Sequence, residues 1–178
     1  ETVDHLGATA ISTRGMIYSD GYVWQMVNTA TDDRLVRIAI GDWTTSTITT
    51  GDSLGVGLST LLATDGNVVW ALFDDKLVRV QAGTPTTVCT LSSELRGIAY
   101  SNGRLLGHGD NEIYDLTALS YSTGSLPAAL WTGPAGILIN SIADGRGWTY
   151  AADYRGIIYK MQVKSDGTGL DVPIVAGS

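Results

Sequence analysis

An acidic or amide residue followed by glycine occurs four times in this chain, at Asp20-Gly21, Asp65-Gly66, Asn102-Gly103 and Asp144-Gly145. The spacing is roughly 40 residues, and a repeat of that period constrains the fold more than any single motif. Each copy must be one small supersecondary unit that cannot bury its own apolar face and has to stack on a neighbour. Each pair separates two short apolar runs, so it reads as the tight turn of a β-hairpin, where residues tolerant of positive φ are needed. The runs before it are Met16-Ile17-Tyr18, Leu61-Leu62-Ala63, Ile98-Ala99-Tyr100 and Ser141-Ile142-Ala143. The runs after it carry Trp24, Trp70 or Trp148, with Leu105-Leu106 in the third copy.

A third strand then alternates in every copy: Leu35-Val36-Arg37-Ile38, Leu77-Val78-Arg79-Val80, Ile113-Tyr114-Asp115-Leu116 and Ile158-Tyr159-Lys160-Met161. A charged residue falls on one face and aliphatic residues on the other, the period-2 signature of a half-covered strand. A fourth strand follows at Thr47–Thr50, Thr86–Thr90, Ala128–Trp131 and Asp171–Val175. Its threonines, and Pro173 in the last copy, suit an outer edge that needs no further pairing.

Four-stranded antiparallel units at this period resemble β-propeller blades, and the resemblance covers nearly the whole chain. It is closest to the broad quinoprotein-like and NHL-like group, without the Trp-Asp pairs of WD40 repeats or the double glycine of kelch repeats. The expected fold is therefore an all-β propeller with blades over residues 13–50, 57–91, 95–131 and 137–176 of a single domain, 1–178. The alternative architecture is a β-sandwich with fortuitous repetition. The ring has three readings: a small four-bladed propeller, half of a larger ring closed by a second copy in a homo-oligomer, or four blades of a longer chain. A chain that opens on Glu1 is expected to be processed or excerpted.

Composition narrows the function. Glycine is frequent, at 22 residues, and charged residues are only 16%, so turns are many and the polar surface rests on Thr, Ser and Asn. The net charge of −7 argues against nucleic acid, whose binding needs clustered Lys and Arg, and against anionic membrane surfaces. No apolar run reaches the roughly 20 residues of a membrane-spanning helix, so membrane insertion is not expected. The single cysteine, Cys89, excludes an intramolecular disulfide and reads as a structural strand residue.

Catalytic signatures are absent from the pattern. The two histidines are His5 and His108, and neither has a partner at recognisable spacing. His108, between Gly107 and Gly109, is the more open to a ligand. No phosphate loop, third glycine after a Gly-x-Gly, or calcium loop is present. A propeller enzyme, a sugar-acting lyase or a quinoprotein-like protein, would need a cluster at the channel mouth, for which Arg104, His108 and Tyr154 are the candidates.

Two features carry the binding expectations. In a meander the turns between second and third strands share one end, which collects Asp33, Asp75, Asp110 and Asp153 as candidate ligands of a cation such as calcium. The same residues are also ordinary turn formers. Trp24, Trp70 and Trp148 recur at matching places and are assigned to packing between blades. Trp43, after Gly41-Asp42, and Trp131, before Gly133-Pro134, do not recur and are candidates to bind a partner, together with His108 and Tyr154. The resulting expectation is a non-enzymatic interaction or adhesion module with no cofactor, binding a protein or glycan, outside a cell or on a virion such as a phage tail or fibre. A purely structural part of a larger assembly is the third class.

Overall fold

The computed structural model describes residues 10–29, 31–51, 61–74, 76–90, 95–117, 126–164 and 169–176. Among them, strands form four antiparallel sheets, each of four strands in up-and-down order, and no helix occurs. The first sheet holds β1 (Ala10–Ser19), β2 (Tyr22–Thr29), β3 (Asp33–Ala39) and β4 (Thr45–Gly51). The second holds β5 (Leu62–Thr64), β6 (Val68–Leu72), β7 (Lys76–Gln81) and β8 (Thr84–Thr90). The third holds β9 (Gly97–Ser101), β10 (Arg104–His108), β11 (Glu112–Asp115) and β12 (Trp131–Thr132). The fourth holds β13 (Ile139–Gly145), β14 (Trp148–Asp153), β15 (Ile158–Val163) and β16 (Leu170–Ala176).

The first strands β1, β5, β9 and β13 stand in sequence around one axis, and residues from all four line a central cavity of about 310 Å³. The fourth strands are the outer edges, and in β8 the residues Thr84 to Thr87 are exposed. This radial arrangement is the propeller plan expected from the repeat.

Consecutive sheets meet through opposite faces. Trp24, Met26 and Leu35 on one face of the first sheet pack into a common core with Val69 and Val80 of the second. Trp70, on the corresponding face of the second sheet, stacks on Tyr100 of the third, with ring centroids 5.3 Å apart and planes 9° from parallel. Leu106 and Ile113 of the third sheet join Ile139, Ile142, Ala151 and Met161 of the fourth in a separate core. Polar pairs accompany two of these seams. Ser19 Oγ donates to the Gly66 carbonyl at 3.1 Å and lies 3.0 Å from Thr64 Oγ1. Ser101 Oγ donates to Asp144 Oδ1 at 2.7 Å and accepts from Thr149 Oγ1 at 2.9 Å. Both serines are buried, so the bonds satisfy groups that water cannot reach.

Among the described residues the arc is open between the first and fourth sheets, which do not pack on each other as consecutive sheets do. Met16 and Tyr18 at one end and Ile158 at the other are consequently exposed.

Register corrects the alignment of the repeats. The pairs Ser19–Tyr22, Ser101–Arg104 and Gly145–Trp148 each close a two-residue loop. The loops are Asp20-Gly21 (φ 50° and 79°), Asn102-Gly103 (51° and 77°) and Arg146-Gly147 (51° and 80°), the all-positive pattern of a type I′ turn. In the fourth copy the turn is therefore Arg146-Gly147 and not Asp144-Gly145, which lies in β13, where the Asp144 carboxylate is used by Ser101. In the second copy the connection is Asp65-Gly66-Asn67, which contains the expected pair, and Asp65 Oδ1 accepts from the amides of Asn67 and Val68, both at 2.8 Å. The tryptophan of the fourth copy shifts with its turn. Trp24 pairs with Arg37 and Trp70 with Arg79, but the partner of Lys160 is Tyr150. Tyr150 thus takes the place expected of Trp148. The fourth strand of the third sheet also falls later than the expected Ala128–Trp131: β12 is Trp131 and Thr132, and ahead of it the Leu130 amide donates to the Ile113 carbonyl of β11 at 2.8 Å.

Leu77 is fully buried at the centre of the first core, and Leu77→Ala is expected to lower unfolding stability by about 2–5 kcal/mol in urea titration. Gly147→Ala, at φ +80° with only Asn102 Oδ1 within 4 Å of the added methyl, is expected to cost about 1 kcal/mol, chiefly from backbone conformation.

Candidate functional site

The end of the molecule that carries the β1–β2 hairpin loops also carries the β3–β4 and β7–β8 loops. In the first sheet the β3–β4 connection is pinned by Trp43 N–H donating to the Ala39 carbonyl at 3.1 Å and Ile40 N–H to the Gly21 carbonyl at 3.4 Å. Asp42 accepts from the Thr44 amide at 3.0 Å and the Thr44 hydroxyl at 2.9 Å, and these bonds hold its carboxyl below the usual range. Inside this turn Trp43 sits at φ 58°, a conformation that costs a non-glycine residue free energy. Its side chain is 55% exposed and that of neighbouring Ile40 is 49% exposed.

Beside this corner a cleft of about 190 Å³ opens between the first and second sheets, lined among others by Asp20, Tyr22, Trp24, Arg37, Asn67 and Gly83. The Arg37 guanidinium lies 4.4 Å from the centroid of the Tyr22 ring and 5.9 Å from that of Trp24. On its other side it rests against Gly83, where an added Cβ would come within 2.9 Å of Nη1. Arg34, Arg96, Arg104 and Arg155 all pair with carboxylates; Arg37 has no such partner among the described residues. The sequence placed Arg37 on an alternating strand but carried no sign of this cleft, because it forms only when the β7–β8 turn of one sheet is laid over the next.

The candidate cation ligands do not converge. Asp33 is buried and accepts from Asn28 Nδ2 at 2.8 Å. Asp110 pairs with Arg96. Asp153 is buried, accepts from the amides of Arg155 and Ile157 at 2.9 and 3.0 Å, and pairs with the Arg155 guanidinium at 2.8 Å. Burial pushes the Asp153 carboxyl up, but the bonds from Arg155 and the two amides outweigh it and the net shift is downward. Asp75 lies outside the described residues. Among the described residues no group of three or more His, Cys, Asp or Glu is placed to hold a metal ion. Asp33, Asp110 and Asp153 each bond within their own turn or pair with a neighbouring side chain.

The other candidates are dispersed. Trp131 is half-buried and packs on Tyr159 at 5.3 Å between centroids. Tyr154 is 59% exposed in the β14–β15 turn, at the opposite end from Trp43. Arg104 and His108 stand at opposite ends of β10, and Arg104 is paired with Asp115. His108 is fully buried on the face that packs against the fourth sheet. Its cross-strand partner is Ile113, as Leu35 is that of Met26 and Leu77 that of Leu72, so it fills a place that is apolar in the first two sheets. Nδ1 is 3.0 Å from the Gly109 carbonyl, to which it donates, leaving Nε2 without a partner among the described residues.

No protein-family model matches the sequence, and no curated protein matches it. Solved structures do. A putative oxidoreductase (glucose dehydrogenase) from Thermus thermophilus superposes with a TM-score of 0.68 at 15% identity, covering 100% of this chain and 73% of that one. Human WBSCR16 superposes with a TM-score of 0.56 at 13% identity, covering 99% of this chain and 55% of that one. The fold is that of a β-propeller. At such identity the likeness extends to architecture alone.

Burial lowers the His108 pKa from 6.5 to about 4. The unfolded chain then binds the extra proton between those values, so stability is complete above about pH 6.5 and declines as pH falls toward 4, by up to about 3 kcal/mol. His108→Met, which restores the residue type of the first sheet, is expected to flatten this part of the pH profile in urea titrations at pH 4.5 and 7.

Proposed function

We propose that the chain is a propeller-type recognition module with no chemistry of its own, which engages a protein or glycan partner through the corner formed by Ile40 and Trp43. The observation that carries this reading is Trp43 itself: a large aromatic at positive φ, more than half exposed, on a turn braced by Asp42 and Thr44. Two costs are borne at one residue, an unfavourable backbone and an exposed apolar ring, and a partner that covers the ring removes the second. Tryptophan in a rigid turn supplies contact area with little entropy to lose. A setting outside a cell or on a virus particle, such as a phage tail or fibre, is part of the same proposal and rests on the acidic, Thr- and Gly-rich composition.

An enzymatic role would call for Arg104, His108 and Tyr154 around one rim. Arg104 is engaged by Asp115, His108 is enclosed between sheets, and Tyr154 belongs to a different turn.

Trp43→Ala is expected to weaken binding on a glycan array, or to a crosslinked protein partner, by about 30-fold or more, as loss of a central aromatic anchor does. Its unfolding midpoint should be unchanged or slightly raised. Partner binding undiminished in Trp43→Ala would overturn the proposal.

A further inference from the structure

We infer that the cleft between the first two sheets is a binding site for a hydroxylated carboxylate of monosaccharide size, a hexuronate unit of an acidic glycan. The inference deepens the recognition role proposed above and rests on it, since the cleft adjoins the Trp43 corner at the same end of the molecule. Its ground is a set of polar groups around one small concavity that have no partners among the described residues. Arg37 is the cation of the cleft; its guanidinium makes no hydrogen bond or ion pair with any described residue and is held in place by Tyr22 and Gly83. A planar fork fixed in this way is arranged for bidentate pairing with a carboxylate.

Asp20 and Asn67 also line the cleft, and neither the Asp20 carboxylate nor the Asn67 side-chain amide has a hydrogen-bond partner among the described residues. These groups decide the ligand class. A bare carboxylate would satisfy Arg37 but offer no donor to the Asp20 carboxylate. A neutral sugar would offer hydroxyls to Asp20 and Asn67 but leave Arg37 unmatched. A sugar bearing both kinds of group answers all three, and the cleft volume of about 190 Å³ suits one small residue, being below the usual size of drug-sized pockets. Ser19, which also lines the cleft, is already committed to the Gly66 carbonyl across the seam, so it braces the wall.

The test is calorimetric titration of the chain with galacturonate, galactose and acetate in parallel. Saturable binding of galacturonate, with galactose and acetate each weaker by about tenfold or more, is the expected result. Arg37→Gln should abolish that preference and Asp20→Ala should reduce affinity for galacturonate over acetate, both with wild-type circular dichroism. Should Arg37→Gln disturb folding, Gly83→Ala, whose methyl would press on Nη1, gives an independent variant, expected to lower affinity. Failure of galacturonate to bind, or equal affinity in wild type and a folded Arg37→Gln, overturns the inference. If a partner lost by Trp43→Ala is still bound by Arg37→Gln, the recognition role stands and the acidic-sugar site falls. If neither substitution affects partner binding, both fall.

Discussion

A four-stranded blade has two faces and too few residues to enclose either, so each sheet here depends on the seam it makes with the next. The seams share one geometry. A face bearing Trp24, Trp70 or Leu106 is laid against the opposite face of the next sheet, which meets it with Val69 and Val80, with Tyr100 and Leu105, or with Ile142 and Ala151. Removal of apolar area from water at each seam supplies the driving force. The buried serines Ser19 and Ser101 lie at corresponding places and bond across their seams to Thr64 and to Asp144. They fix the lateral register that non-directional packing leaves loose.

Much of this architecture was legible because strand periodicity and turn chemistry are local. The alternation of Leu35-Val36-Arg37-Ile38 and its counterparts predicted the third strands, and the glycine pairs predicted four hairpins. What the sequence misplaced was register. Asp144-Gly145 reads as well as Asp20-Gly21 for a turn, and only the φ values of Arg146 and Gly147 show which pair turns the chain. A shift of two residues keeps every side chain on its face, so the hydrophobic pattern could not reveal the error, and Trp148 was matched where Tyr150 belongs.

The site was less legible for the same reason. Trp43 could be singled out because it interrupts a repeat, and it is indeed exposed. The Arg37 cleft depends on the approach of Arg37 to Gly83, a residue of the next sheet, and no local pattern encodes that approach. The acidic corners were visible as motifs, but the engagement of Asp33 by Asn28, of Asp110 by Arg96 and of Asp153 by Arg155 is a matter of side-chain geometry. His108 was marked by its flanking glycines as open to a ligand. The structure encloses it instead, fully buried on the face that packs against the fourth sheet.

The seams also differ in what they are made of. The joint between the second and third sheets is filled by the stacked rings of Trp70 and Tyr100 and a broad aliphatic core. The joint between the third and fourth holds the buried His108 ring and the Thr149–Ser101–Asp144 hydrogen bonds alongside its aliphatic filling. Because neighbours in a repeat array contribute separately to cohesion, each joint can open by itself, and the buried imidazole makes the parting of the last leaf the opening that acid favours.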